Sequence, residues 1–224
     1  MTTSAPSNDS PQETAIDLIV LTAITTREHA RALHAGGWME KFAPDIAVVR
    51  VNWSAALDGA SDPYAQGRDA APGTVYAYLK LRRPRKMSED QTGVIKARWQ
   101  ALSGDPDARA SRLARQLEIV GASPGLKPVA HYIVEMDPEA GWEQELFAWY
   151  DQEHMPGLAS VPGCIHAVRL LNLDHGPLNF ACYDLTAKEI MGCPPWLAVR
   201  HSKWSDRVRP HFTNARRTMF EVIG

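Results

Sequence analysis

Leu117-Glu118-Ile119-Val120-Gly121 stands near the middle of the chain, and Phe220-Glu221-Val222-Ile223-Gly224 stands at its end. The two pentapeptides share an apolar pattern and, at Glu and Gly, identity. Upstream of each, Arg98-Trp99 answers Lys203-Trp204, and Val75-Tyr76-Ala77-Tyr78 answers Leu178-Asn179-Phe180-Ala181-Cys182-Tyr183. Further back, Val49-Arg50 answers Val168-Arg169. Each match is short. Their common order along the chain marks an internal repeat, which has to be recognised before elements are assigned.

Each half then reads as strand, helix, strand, strand, helix, strand. In the second half, 129–136, 164–171, 179–185 and 215–223 are rich in β-branched and apolar residues, a strand composition. Trp142, Leu146, Trp149, Tyr150 and His154 recur at helical spacing over 141–155, and Pro156 is expected to stop that helix. A second helix starts at Pro194-Pro195 with Leu197, His201, Trp204 and Val208 on one stripe. The first half matches, with strands near 15–23, 46–53, 74–82 and 115–121 and helices near 26–41 and 88–104. Its Gly/Asp/Ala/Pro-rich stretch 54–73 reads as an exposed loop or flap.

A four-stranded antiparallel sheet with both helices on one face needs a cover for its other face, and a tandem copy supplies one. The sequence therefore predicts an α+β protein of two ferredoxin-like βαββαβ halves with facing antiparallel sheets. Single-repeat chains reach the same arrangement by dimerising. The expected division is a disordered tail (1–14), a mainly structural half (15–121), a Pro/Gly-containing linker (122–128) and a half carrying the candidate site (129–224).

Composition excludes several classes. The 224 residues are 45% hydrophobic and 22% charged with net charge −2, an ordinary globular balance that gives no reason to expect nucleic acid. The basic run Arg82-Arg83-Pro84-Arg85-Lys86 reads as a solvated turn. Cys164, Cys182 and Cys193 are odd in number and lack CxxC spacing, so neither a disulfide framework nor a zinc site is expected. No apolar run is long enough for a membrane span, and residues 1–14 lack signal-peptide character, so a cytoplasmic setting is the default. GxGxxG, GxxxxGK[ST] and GxSxG are all absent, which removes nucleotide cradles and the serine-hydrolase elbow.

One segment carries chemistry: Phe147-Ala148-Trp149-Tyr150-Asp151-Gln152-Glu153-His154-Met155-Pro156-Gly157-Leu158-Ala159-Ser160-Val161-Pro162-Gly163. Through Tyr150-Asp151, Glu153-His154, Pro156 and Val161-Pro162-Gly163 it resembles the helix-to-second-strand segment of the dimeric α+β barrel superfamily, in its EthD-like form. That superfamily holds lactone isomerases, cofactor-free monooxygenases, decarboxylases, haem enzymes and proteins without known activity. The corresponding first-half stretch, His34 to Pro44, lacks the Tyr-Asp-x-x-His core, which places any active site in the second half.

His154 follows Tyr150 and Asp151 at i−4 and i−3, so the three can share a helix face. Asp151 can orient the imidazole and, with the helix C-terminus, favour its charged form, as proton transfer near neutral pH requires. The structural alternative is that His154 caps the helix end. Six of the eight histidines lie in the second half. Of these His201, on the apolar stripe, and His131, on the first strand of that half, can face the same pocket. Trp149 and Trp204 can wall a flat cavity for an aromatic ligand. Arg169 can hold a carboxylate or phenolate, or pair across strands with Asp184 or Glu221. No metal is expected from spacing, although His131, His154 and His201 can be assembled from a distance. A haem would need His201 or His211.

The expected function is a cofactor-independent enzyme. His154 is the acid/base, Asp151 its orienter and Tyr150 a hydrogen-bond donor; His201, Trp149, Trp204, His131 and Arg169 bind substrate. The reaction is proton-transfer isomerisation or decarboxylation of an aromatic or lactone-like molecule. The alternatives are a non-catalytic ligand-binding or accessory protein and a cofactor-free monooxygenase. Expected partners are the small molecule and a second copy as a homodimer.

Overall fold

The computed structural model describes residues 14–36, 46–54 and 71–224. The expected tail, most of the loop 54–73, and the first-half segment from residue 37 to 45 lie outside the described residues. The elements run β1 (Ile16–Ile24), α1 (Arg27–Ala35), β2 (Ile46–Trp53), β3 (Thr74–Arg85), α2 (Glu89–Ser103) and β4 (Arg109–Val120). They continue with β5 (Ala130–Pro138), α3 (Glu143–Trp149), a π-helical turn (Tyr150–His154), α4 (Met155–Ala159), β6 (Cys164–Asn172) and β7 (Asn179–Leu185). α5 (Pro194–Arg200), α6 (Lys203–Val208) and β8 (Phe212–Val222) complete the chain.

The eight strands form one closed antiparallel barrel in the order β1-β3-β2-β8-β5-β7-β6-β4. This corrects the expectation of two ferredoxin-like halves with facing sheets. Strands of the first half hydrogen-bond directly to strands of the second, so there is one continuous ladder and no gap between opposed layers. The physical reason is the edges: two separate sheets would leave rows of unpaired N–H and C=O groups, and closure pairs them.

Closure occurs at two seams of unequal length, and the repeated pentapeptides lie one at each. β4 pairs with β6 from Leu113↔Asn172 to Val120↔His166. Beyond it the Gly121 N–H donates to the Ile165 carbonyl at 2.9 Å. β2 pairs with β8 through Asn52↔Val222 and Trp53↔Glu221 alone. Two further bonds, Ile223 N–H to the Val51 carbonyl and Val51 N–H to the Gly224 carbonyl, each 2.9 Å, extend that seam.

Strand alternation divides the side chains between three cores. Leu113, Ile133, Leu170, Phe180, Cys182 and Phe220 fill the barrel interior. Ile19, Leu79 and Trp99 pack outside it under α1 and α2. Tyr132, Trp149, Tyr183 and Trp196 pack outside it under the second-half helices. Local signals explain the long helix: Ser88 and Gln91 form a reciprocal capping box on α2, and Gly104 ends it in the left-handed conformation at φ +72°.

Both second-half helices are broken rather than continuous. Pro156 falls in the first turn of α4, where a missing N–H is tolerated, and the chain turns on to Ala159 instead of stopping. Between α5 and α6 the chain turns at His201, and the Ser202 side chain caps the new start by accepting from the Ser205 N–H at 3.0 Å.

The longer seam leaves no room at its end. A Cβ on Gly121 would sit 2.3 Å from the Cys164 carbonyl oxygen. Gly121→Ala is therefore expected to destabilise the protein by about 2 kcal/mol, since the clash is with backbone that cannot rotate aside. Urea denaturation measures it, and a midpoint indistinguishable from wild type would show that the seam yields.

Candidate functional site

The π-helical turn presents the chemistry-bearing residues. Such a turn inserts an extra residue into the helix and rotates the residues beyond it, a device common at functional sites. Here it buries Tyr150 and His154 and leaves Asp151 at the margin. The Asp151 carboxylate accepts from Arg169 on β6 in a two-pronged pair, Nε to Oδ1 at 2.8 Å and Nη2 to Oδ2 at 2.9 Å. Arg169 also lies over the Phe147 ring at 4.6 Å. The pair ties the turn to the sheet. Asp151 is thus engaged with Arg169 rather than with the imidazole, and Arg169 pairs with neither Asp184 nor Glu221.

His154 stacks on Trp149 with ring centroids 4.1 Å apart and meets Tyr150 edge-on at 5.8 Å. The Trp149 indole N–H donates to Ser205 Oγ on α6 at 3.3 Å, which fixes the stack. A small cavity of about 30 Å³ opens beside His154, lined also by Tyr132, Tyr150, Tyr183, Arg200, Arg209 and Arg217. None of its described lining residues is acidic. Two buried polar atoms on this cavity have no hydrogen-bond partner, His154 Nδ1 and the Tyr183 hydroxyl. Orphans of this kind are rare in folded proteins and demand an explanation.

The electrostatics follow from burial beneath a cationic wall. Burial, with the Arg209 charge added, lowers the His154 pKa from 6.5 to about 3, so the ring is neutral rather than charged as its helix-end position had suggested. Burial and the neighbouring Arg209 and Arg217 charges lower the Arg200 guanidinium to about 10. Arg209 is lowered by burial and by Arg217. Burial raises the Tyr150 and Tyr183 phenols, which stay protonated. Asp206 favours the Arg209 charge, and an anion placed at this wall would raise the lowered pKa values of His154, Arg200 and Arg209 together.

Other sequence candidates are dispersed. His131 points into the barrel: its Nε2 accepts from the Tyr78 hydroxyl at 3.0 Å and its Nδ1 lies 2.7 Å from Asp184 Oδ1. His201 is exposed at the end of α5. Trp204 donates its indole N–H to Glu145 at 2.9 Å across the helix layer. His211 stacks on Trp142 at 3.4 Å and contacts Glu139. The three histidines weighed as a distant metal set therefore lie in three places, and among the described residues no group of three or more His, Cys, Asp or Glu side chains converges.

A haem does not fit these residues, because neither His201 nor His211, the ligands it would need, lines the cavity beside His154. Among the described residues no helix is long and apolar enough to cross a membrane. Tyr132, Tyr183, Arg200, Arg209 and Arg217 were not legible as site residues. Tyr132 and Tyr183 do share the outward parity of their strands, a signal that could have found them.

The fold is that of the α+β barrels. No family model matches the chain, and no curated protein matches it. Solved structures do. An anthrone oxidase-like protein is similar at TM-score 0.56 and 14% identity, with 95% of this chain and 93% of that one covered. A presumed monooxygenase from Fusobacterium nucleatum subsp. nucleatum is similar at TM-score 0.57 and 9% identity, covering 95% and 94%. Chlorite dismutase from Candidatus Nitrospira defluvii is similar at TM-score 0.55 and 11% identity, covering 93% and 92%. At such identities the likeness is one of fold.

The buried neutral imidazole has a consequence for stability. Below about pH 6.5 an unfolded chain protonates His154 while the folded chain does not until about 3, so unfolding takes up a proton and stability falls as the pH drops through that window. Above it the contribution is complete. His131, lowered to about 4 by burial and the Arg50 charge, adds a second slope of the same sign. His154→Phe is expected to flatten the pH dependence of unfolding between about pH 6 and 4 by one proton, about 1.4 kcal/mol per pH unit. Denaturant titrations across that range measure it, and an unaltered slope would mean that His154 is accessible and charged.

Proposed function

We propose that this chain is a small-molecule enzyme that oxygenates an electron-rich aromatic substrate, of quinol or anthrone type, without an organic cofactor or a metal. The observation that carries the reading is that His154 Nδ1 and the Tyr183 hydroxyl, both buried and unpartnered, face one cavity with three arginines. A phenol or enol satisfies both orphans: its O–H donates to Nδ1, and its oxygen accepts from Tyr183. The guanidinium charges of Arg200, Arg209 and Arg217 acidify such a group, because nearby opposite charge favours the ionised form. That matters here, since an imidazole with so low a proton affinity is a weak base on its own. The anion, once formed, offsets the burial and Arg209 repulsion that keep His154 neutral, and the imidazole holds the proton.

The resulting enolate or phenolate is the electron donor to dioxygen. For an anthrone the balance is one substrate and one O₂ giving one quinone and one water: one oxygen atom becomes the new carbonyl, and the two methylene hydrogens leave with the other. Tyr150 and Trp149 supply the aromatic wall and hold His154 in place. The present cavity admits about one water molecule, so a ring-sized substrate enters with displacement of α5 and α6, which are short and carry Arg200 at their junction. The shared fold with an anthrone oxidase-like protein supports the reading, and the Tyr150-to-Gly163 segment supports an EthD-like affiliation within that fold.

Oxygen consumption by the purified protein with anthrone and with a naphthoquinol tests this. The expected result is uptake above the spontaneous rate at one O₂ per quinone. His154→Gln should lower kcat by about a hundredfold, the range of a lost acid/base group, and Arg217→Gln should act mainly on KM. Absence of uptake with both substrates contradicts the proposal. Anaerobic exchange of the substrate C–H with deuterated water, unaccompanied by uptake in air, would instead establish a proton-transfer isomerase.

A further inference from the structure

The sheet that backs the His154 cavity has a second chamber on its other side. Inward-facing strand residues and the loops at 105–107 and 175–177 line an open-mouthed cavity of about 280 Å³ at one end of the barrel, close to the lower bound of about 300 Å³ for small-molecule pockets. Val134 lines the outer cavity and its neighbour Glu135 lines the inner one, so one residue step along β5 separates the two.

Glu135 is the anchor. It is 1% exposed, and both its carboxylate oxygens accept from the Tyr76 hydroxyl at 2.9 Å. Arg216 reaches Oε1 at 3.3 Å from the mouth. Burial raises the Glu135 pKa, as expected of a carboxyl taken out of water, and nothing about barrel closure needs such a group. The layer beside it is filled by Leu113, Ile133 and Leu170, so an apolar residue would serve packing at least as well. Around the same cavity stand Asp105 and Arg109, with Val20, Ile24 and Phe180 forming apolar wall.

Both signs of charge thus face one space. A simple anion would meet Glu135, Asp107 and Asp105, the last already accepting from the Ile24 and Asp107 N–H groups; a simple cation would meet Arg109 and Arg216. A molecule carrying both charges on neighbouring atoms meets complementary groups throughout. We propose that the barrel mouth is a binding site for an amino-acid-sized zwitterion with an apolar side chain. Its ammonium is directed at Glu135 and Asp105, its carboxylate at Arg109 and Arg216, and its side chain lies on Val20 and Phe180. Binding there is separate from chemistry at His154, because the sheet lies between.

Calorimetric titration with L-leucine, 3-methylbutylamine and 4-methylpentanoate tests the proposal, since the three share a side chain and differ in charge. L-leucine is expected to bind saturably and each single-charge analogue at least about tenfold more weakly, a loss of about 1.4 kcal/mol. Glu135→Gln removes the anchor. Arg109→Gln, on the exposed rim, removes carboxylate recognition without disturbing the core, so a folding failure of the first variant leaves the second decisive. Each is expected to weaken L-leucine about tenfold. The proposal is overturned by no saturable heat with L-leucine up to about 10 mM, by an amine or acid that binds as tightly as leucine, or by unchanged leucine affinity in Arg109→Gln.

Discussion

Leu117 to Gly121 is stitched to β6, and Val222 to Gly224 is stitched to β2, and these two ladders turn eight strands into a cylinder without a free edge. Strand alternation then acquires a strict meaning, because every side chain must enter the cylinder or leave it. His131, Ile133 and Glu135 enter; Tyr132 and Val134 leave. The helices are hung on the outside, and the π-helical turn is pinned to the wall by Arg169 holding Asp151. Had the sheets merely faced each other, neither chamber would have a closed back.

The repeat in the pentapeptides and the positions of most strands were legible because apolar periodicity and breakers are local properties. Closure was not. Whether Gly121 ends a free edge or approaches the Cys164 carbonyl depends on a strand about 45 residues away, and no pattern within either segment encodes it. The same limit applies at the site. Helical spacing brought Tyr150, Asp151 and His154 together on paper, but the π-helical turn rotates Asp151 toward Arg169, and a one-residue expansion of a helix leaves no mark in periodicity. His131 looked like a partner for His154 because parity along β5 does not say which face is inside. Arg200 ends α5, Arg209 follows α6 and Arg217 lies on β8, and only the folded layer gathers them.

The two sides of one sheet are chemically opposite. Outside, cationic heads crowd a neutral imidazole and protonated phenols, with no described acidic residue at the cavity. Inside, carboxylates are held by a tyrosine, a histidine and arginines: Glu135 by Tyr76 and Arg216 toward one end, Asp184 by His131 and Arg50 toward the other. Burial pushes Asp184 up in pKa, and the His131 hydrogen bond and Arg50 charge overcome that and hold it ionised. A backbone sheet is a thin partition, yet it is continuous and hydrogen-bonded, so each chamber keeps its own balance of charge.

The unequal seams impose an order on assembly. Roughly 50 residues of chain separate the strands joined at β4–β6, and that seam holds many pairs. Roughly 170 residues separate Asn52 from Val222, and only two pairs reward their meeting. Bringing the more distant partners together costs about 1 kcal/mol more in chain entropy, for far fewer hydrogen bonds. The cylinder therefore behaves as a rolled sheet with a permanent join and a clasp: it rolls up from the join, the clasp fastens late, and thermal opening starts at the clasp. Amide exchange at Ile223, whose N–H donates to the Val51 carbonyl, against Ile119 reads that order directly.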